Sequence, residues 1–259
     1  MNKPEYLYHY TNIDTLALIL KNKTIRFNSL SNMDDLEEVK SNDMGNIGKY
    51  CFVSCWTEEE EESIPFWHIY TNKMRGIRIK LPSDMFKKYT VNNIGSLGSF
   101  KSYFKYEEIL CPNYTISPSW VEILEKVEYT DDKSLLYPNI LELEVDKCNI
   151  KLGELGKHKR KNWNFQKEWR YIFRILPISL REMQEENPNV HLRKLLKGEE
   201  LGIDSYFLNI DDKALEKMEI TLGPNTTDGD KIIVESLVNT YNPLAKVYSS
   251  NLKKIINIK

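Results

Sequence analysis

Strand-forming and helix-forming runs follow one another along this chain without a repeating strand–helix–strand period, and that irregularity is what most constrains the fold. It argues for an α+β architecture over a doubly wound parallel sheet. Runs rich in aromatic and β-branched residues predict strands over residues 6–10, 24–27, 50–56, 76–81, 140–145, 168–174, 206–210, 219–224 and 245–249. Periodic apolar runs predict helices over 15–20, 83–88, 180–186, 190–197, 212–217 and 228–239, with a helical turn at 66–70 and an aromatic strand over 100–106. Asn12 or Asp14 is placed to cap the first helix, and Asn22, between Lys21 and Lys23, suits a left-handed cap at its end. Residues 29–38 read as a polar loop and 58–62 as a solvated acidic loop.

A chain of 259 residues can bury one full core, and with no linker, repeat or low-complexity stretch a single domain over 1–259 is expected. The formal net charge of -2 excludes a global cationic field for nonspecific nucleic-acid binding. No apolar run approaches the ~20 residues that span a bilayer, and the polar start Met1-Asn2-Lys3-Pro4-Glu5 is unlike a signal peptide, so no membrane partner and a cytoplasmic location are expected. The scattered Cys51, Cys55, Cys111 and Cys148 read as core thiols; Cys51, Cys55 and His68 lack the four ligands of a closed zinc site, and no metal is expected.

Two short motifs carry the chemistry. Tyr8-His9-Tyr10-Thr11 puts an imidazole on the first strand, with Thr11 on the same face two residues on. Gln166-Lys167-Glu168-Trp169-Arg170 opens a late strand with a carboxylate. In that strand Glu168, Arg170, Ile172 and Arg174 share one face and Trp169, Tyr171 and Phe173 the other. If the strand reaches back to Gln166, carboxamide and carboxylate emerge together. Splitting the nicotinamide–ribose bond of NAD passes through an oxocarbenium-like species that one well-placed glutamate can stabilise. Glu168 suits that task and His9 could grip the ribose hydroxyls. An ion pair on an exposed sheet face is the bland alternative for Glu168, and a histidine tucked into a strand face that for His9.

Tyr8-His9-Tyr10-Thr11, then Leu16, Ile19 and Leu20, Arg26-Phe27, the 31–38 loop, Trp67-His68-Ile69-Tyr70, Gly76 and Glu168-Trp169-Arg170 together resemble a bacterial domain family of unknown function. That family in turn is similar to the ADP-ribosyltransferase superfamily, its first strand and helix looking like those of DarT-type toxins. The resemblance implies a split, bent β-sandwich with short helices around a central cleft, and NAD as substrate. It implies His9 and Glu168 as the outer catalytic positions, Trp67 or Tyr70 as an aromatic wall, and Tyr10 and Thr11 beside His9. The family's loop usually carries Asn-Asp where Asp34-Asp35 stands here, and a glutamate where Gln166 stands. Gln at that place is similar to members that modify asparagine or guanine.

Arg26 and Arg170 could each reach a phosphate or be surface cations. The basic run 157–161 could steer a nucleic-acid acceptor, or be a solvated loop facing 58–62. The leading expectation is thus an NAD-dependent ADP-ribosyltransferase, a glycosyltransferase of the toxin or phage-defence kind. It would modify a nucleic acid or protein and answer to an antitoxin or phage trigger. The alternative is a non-catalytic module on the same fold that senses a nucleotide, nucleic acid or phage protein. A metal-dependent nuclease built on Asp34, Asp35, Glu38 and Glu168 is a third reading.

Overall fold

The computed structural model describes residues 3–92, 98–144, 147–185 and 188–256. The chain runs β1 (Tyr6–Thr11), α1 (Ile13–Asn22), β2 (Thr24–Ser29), β3 (Cys51–Thr57), α2 (Ile64–Tyr70), β4 (Ile77–Pro82), β5 (Tyr89–Val91), β6 (Phe100–Ser102), α3 (Tyr106–Ile109), β7 (Thr115–Ser117), β8 (Leu124–Lys126) and β9 (Glu128–Thr130). It continues through α4 (Lys133–Leu136), β10 (Leu141–Glu144), β11 (Lys147–Ile150), β12 (His158–Arg160), β13 (Glu168–Leu176), α5 (Leu180–Glu185), α6 (Pro188–Leu196), β14 (Ser205–Asn209), α7 (Asp212–Glu216), β15 (Glu219–Leu222), α8 (Asp228–Tyr241) and β16 (Lys246–Ser249). The chain is mixed α+β. It gathers into two compact units, one from Met1–Ile25, Trp56–Lys87 and Leu208–Lys259, the other from Arg26–Cys55 and Lys88–Phe207.

In the first unit β1 runs antiparallel to β4, from Tyr6 opposite Pro82 to Thr11 opposite Ile77, and Tyr8 also pairs with Thr57. β15 adds antiparallel to β4, and β16 adds parallel to β15, so parallel and antiparallel ladders meet in one sheet. Strand alternation sorts the side chains. Leu7, His9 and Thr11 share a face with Ile77, Ile79 and Leu81, whereas Tyr6, Tyr8 and Tyr10 stand on the other beside the cations of β4. There the Arg78 guanidinium lies 4.7 Å from the Tyr8 ring centroid and the Lys80 ammonium 4.7 Å from that of Tyr6. Such cation–aromatic pairs contribute about 0.5–1 kcal/mol each near the surface. α1 buries Leu16, Ile19 and Leu20, α8 buries Val234 and Val238, and the two helices pack on one another.

Two local expectations are corrected here. The left-handed residue after α1 is Lys23 (φ 53°), not Asn22, because the helix runs on through Asn22 before β2 begins. No helix forms over 83–88. Its backbone instead joins the chain near Ile210: Phe86 bridges Ile210, the Lys87 N–H donates to Asn209 and the Asp211 N–H to Met85.

The second unit is organised by β13, antiparallel to β7 and β8 and paired with β3, which also runs antiparallel to β2. Its first eight residues are all buried. One face sets Phe173 within an aromatic cluster, with ring centroids of Phe27, Phe104 and Tyr206 at 5.0, 4.9 and 5.5 Å and Phe52 stacked at 6.1 Å. The other carries Ile172 into a core with Leu30, Tyr50, Val53, Ile140 and Leu155. Arg174, on that apolar side, donates to the Gly153 and Leu155 carbonyls at 3.2 and 3.1 Å, and so ties a surface turn to the strand. The expected strand over 100–106 stops at Ser102, whose hydroxyl caps the Phe104 N–H. Val145 and Glu186, at the ends of two expected elements, lie outside the described residues, as do the side chains of Cys148 and of 190–191.

Gly76 has a steric reason to be glycine. A Cβ there would lie 2.4 Å from the Thr11 carbonyl oxygen and 2.6 Å from Thr71 Cβ. Gly76→Ala should therefore push β1 and β4 apart and lower stability by about 1–3 kcal/mol, the usual range for overpacking. Urea denaturation checks this: the midpoint should fall while the slope is unchanged.

Candidate functional site

Several strongly perturbed ionisable groups of the second unit meet where β13 begins. Glu168, 4 % exposed, receives Arg170 Nε on Oε1 at 2.5 Å and Lys159 Nζ on Oε2 at 2.9 Å. Lys159 also donates to Gln166 Oε1 at 2.9 Å and approaches Glu38 Oε2 at 3.6 Å, while Arg170 Nη1 meets Glu38 Oε1 at 2.5 Å. Two carboxylates and two cations thus close into a ring that is nearly dry, Arg170 being 1 % and Glu38 6 % exposed. Arg170 further donates to the Gly156 carbonyl at 3.0 Å, and the Glu168 N–H donates to Tyr129 Oη at 2.9 Å. The Lys159 ammonium lies 5.1 Å from the centre of the Trp163 ring.

The two carboxylates are held differently. Burial pushes the Glu168 carboxyl up, but Arg170 and Lys159 outweigh it and hold the group down at about 2. For Glu38 burial prevails over the same cations, and its carboxyl is raised. Burial, and then the Glu168 charge, push the Cys55 thiol well up, so it is neutral and no nucleophile.

Several expectations change. Glu168 and Arg170 are not an exposed pair, since β13 is covered on both faces. Arg170 cannot serve a phosphate because its guanidinium is closed between Glu38, Glu168 and Gly156. Gln166 does meet Glu168, but not through strand alternation: it ends a 3₁₀ helix, Lys161–Gln166, and Lys167 turns in the left-handed region at φ 40°. Lys159 joins the two.

The basic run 157–161 is not a loop throughout: it forms β12 and opens the 3₁₀ helix that follows. Lys157 pairs with Glu154, His158 lies 3.6 Å from Glu128, Lys159 enters the buried ring, Arg160 holds Glu37 and Lys161 pairs with Asp131. Each of these side chains thus has an acidic neighbour. In the polar 29–38 loop Glu37 and Glu38 are the anchors, and Asp35 accepts the Glu37 N–H at 3.0 Å. Arg160 and Tyr137, as hydrogen-bond donors, hold the Glu37 carboxyl down at about 2. Among the described residues no group of three or more His, Cys, Asp or Glu is placed to hold a metal ion. Arg26 is exposed and donates to Asn28 Oδ1 at 2.6 Å.

The first unit holds His9, Tyr10, Thr11, Trp67 and Tyr70. His9 is half-buried, 5.1 Å from the Trp56 ring, with Thr11 on its face as expected. Trp67 is on the other side of β1. Fully buried, it meets the Tyr10 ring edge-on at 4.7 Å and donates to Glu62 at 2.9 Å, with Phe66 and Met74 completing a small core. Tyr10 is 5 % exposed and its hydroxyl accepts the Ser63 N–H at 3.0 Å. Trp67 is therefore core packing, not a wall beside His9, and Tyr10 is held in the same core. Tyr70, half-buried against Phe66 at 5.3 Å, belongs to that cluster too.

Comparisons of the chain with protein-family models, with curated proteins and with solved structures find no match. No helix among the described residues is long and apolar enough to cross a membrane. Lys159 and Glu38 are the members of the ring that the late motif does not announce, and Tyr129, beside it, is likewise unannounced. Lys159 is hidden inside a run of cations, and only its adjacency to Arg160, with Glu37-Glu38 as complementary neighbours, hints at the pairing.

Removing one partner from such a ring leaves a charge buried without its counter-ion, and Arg170→Met should lower stability by about 3–5 kcal/mol. The ring also sets an acid limit. Because the Glu168 carboxyl sits at about 2 in the folded chain against an ordinary 4.5, its stabilising contribution is in force above about 4.5 and is lost as pH falls toward 2. Glu38, raised by burial, contributes with the opposite sign on acidification, so the check is a difference: melting temperature should fall more steeply through that window in the wild type than in Glu168→Gln, and an equal slope in both proteins would contradict it.

Proposed function

We propose that the chain is a nucleotide-recognising module related to the ADP-ribosyltransferases, holding NAD or a similar nucleotide without splitting it. The observation that carries this is the closure of Glu168. Both of its oxygens are taken by cations, and it is almost wholly shielded. A carboxylate that stabilises an oxocarbenium must touch the sugar and bring net negative charge to it. Here Arg170 and Lys159 neutralise that charge. The nucleotide specificity, and with it the split-sandwich arrangement around a cleft, rests on the motif resemblance.

The second reading is the NAD-dependent transferase, with a toxin or defence role and a macromolecular acceptor. One observation favours it: Gln166 and Glu168, the pair the resemblance assigns to acceptor and NAD, are joined by one ammonium. Turnover would then require Lys159 to leave Glu168.

The readings separate in one experiment on the whole protein. Calorimetry with NAD should give saturable heat while chromatography detects no nicotinamide release. Steady release that Glu168→Gln abolishes would replace the binding reading by the transferase, and the absence of both heat and release would overturn both.

A further inference from the structure

The second unit contains a cavity of about 500 Å³ that neither reading uses, between the 40–46 loop and residues 133–139. Its volume falls within the range of about 300–1,000 Å³ typical of small-molecule sites. Its lining is one-sided in charge: Lys40 and Lys133 contribute cations and no lining residue is acidic. Both lysines are exposed; Lys40 feels the Glu37 carboxylate, and Asp132, beside Lys133, is turned onto the Ser134 N–H and hydroxyl at 2.9 and 2.7 Å. The neighbouring acids are already engaged. Asp43 accepts the Ile140 and Leu141 N–H groups at 3.0 and 2.7 Å, and Glu37 is held by Arg160 and by the Tyr137 hydroxyl.

The rest of the lining is hydrogen-bonding. Asn42, Asn46 and Ser134 bring amide and hydroxyl groups, the Ser134 hydroxyl donating to Asp132 Oδ1 at 2.7 Å and so offering its lone pairs, and Tyr137 adds an aromatic ring. The walls are braced before any ligand arrives. Ser41 bridges Gly45, with its N–H on the Gly45 carbonyl at 2.7 Å, and its hydroxyl accepts the Met44 N–H at 2.9 Å. Across the cavity the Asn42 N–H donates to the Pro138 carbonyl at 3.2 Å and its amide to Asn139 Oδ1 at 2.8 Å. A rigid rim lowers the ordering cost of binding.

We infer that this cavity is a binding site for a phosphate-bearing small molecule of nucleotide size, Lys40 and Lys133 gripping the phosphate while the amides and hydroxyl meet the sugar and base. Ammonium groups suit phosphate as mobile point charges with three donors each. A neutral nucleoside would lose that grip. The site is separate from the Glu168 ring and stands whether or not that ring turns NAD over.

The test is calorimetry on the full chain with AMP, inorganic phosphate and adenosine, for the wild type, the Lys40→Gln/Lys133→Gln double variant and Glu168→Gln. The two lysines are exposed and the double variant should keep the wild-type melting curve. AMP should bind to the wild type, adenosine at least tenfold more weakly, and the double variant should weaken AMP at least tenfold. Phosphate should compete with AMP, and Glu168→Gln should leave AMP affinity within about threefold. No AMP heat at millimolar concentration, AMP affinity untouched by the double variant, or adenosine binding as tightly as AMP would each overturn the inference. NAD heat that survives the Lys40→Gln/Lys133→Gln double variant belongs to the NAD reading and NAD heat lost with it belongs to this cavity, so failure here and failure of the NAD reading are told apart.

Discussion

The second unit depends on how two carboxylates and two cations are kept away from water. Glu38, Arg170, Glu168 and Lys159 meet within 2.5–3.6 Å. Taking each of these charges out of water costs several kcal/mol, which their mutual attraction offsets only when geometry and hydrogen bonding are good. The ring meets that condition by recruiting the neighbouring backbone and side chains: Gly156 carbonyl for Arg170, Gln166 for Lys159, Tyr129 beside Glu168. Such a ring does little for net stability. What it does is tie four separated stretches of chain, around residues 38, 129, 159 and 168, to one arrangement.

The first unit solves a different problem with different chemistry. Its tyrosine-rich first strand has no spare polar face, so the rings are shared between cations of β4 and the Phe66–Trp67 turn. That sharing is why Tyr10 and Trp67, attractive as ligand contacts on composition alone, serve as packing. Trp67 finds a partner for its indole N–H in Glu62, and Glu62 in turn accepts from Ser250 and the Asn251 N–H, so a residue of the acidic run becomes a joint.

Much of the architecture was legible in the order of residues. The strands around 6–11, 24–29, 51–57, 77–82, 168–176, 205–209, 219–222 and 246–249 announce themselves by β-branched and aromatic content, and the helix ending at Tyr241 by its apolar period. What stayed hidden was where the charges go. A lysine among lysines carries no mark of burial, and a glutamate in a polar loop reads as solvated, because burial of a charge is decided by a partner far along the chain. The same blindness affects the 83–88 stretch: its composition permits a helix, and only the distant strand end near Ile210 takes its backbone groups away.

One consequence of β12 lies in its register. His158–Arg160 pairs in parallel with β9, yet its three polar side chains offer no alternation of apolar and polar residues to say which residue faces inward. Electrostatics supplies the missing instruction. Lys159 goes inward to Glu38 and Glu168, and Arg160 goes the other way to Glu37. A slip by one residue would turn a guanidinium into the ammonium's narrow place and leave the acids mismatched, so adjacent glutamates read by adjacent cations act as a two-digit code for where this strand must stop sliding.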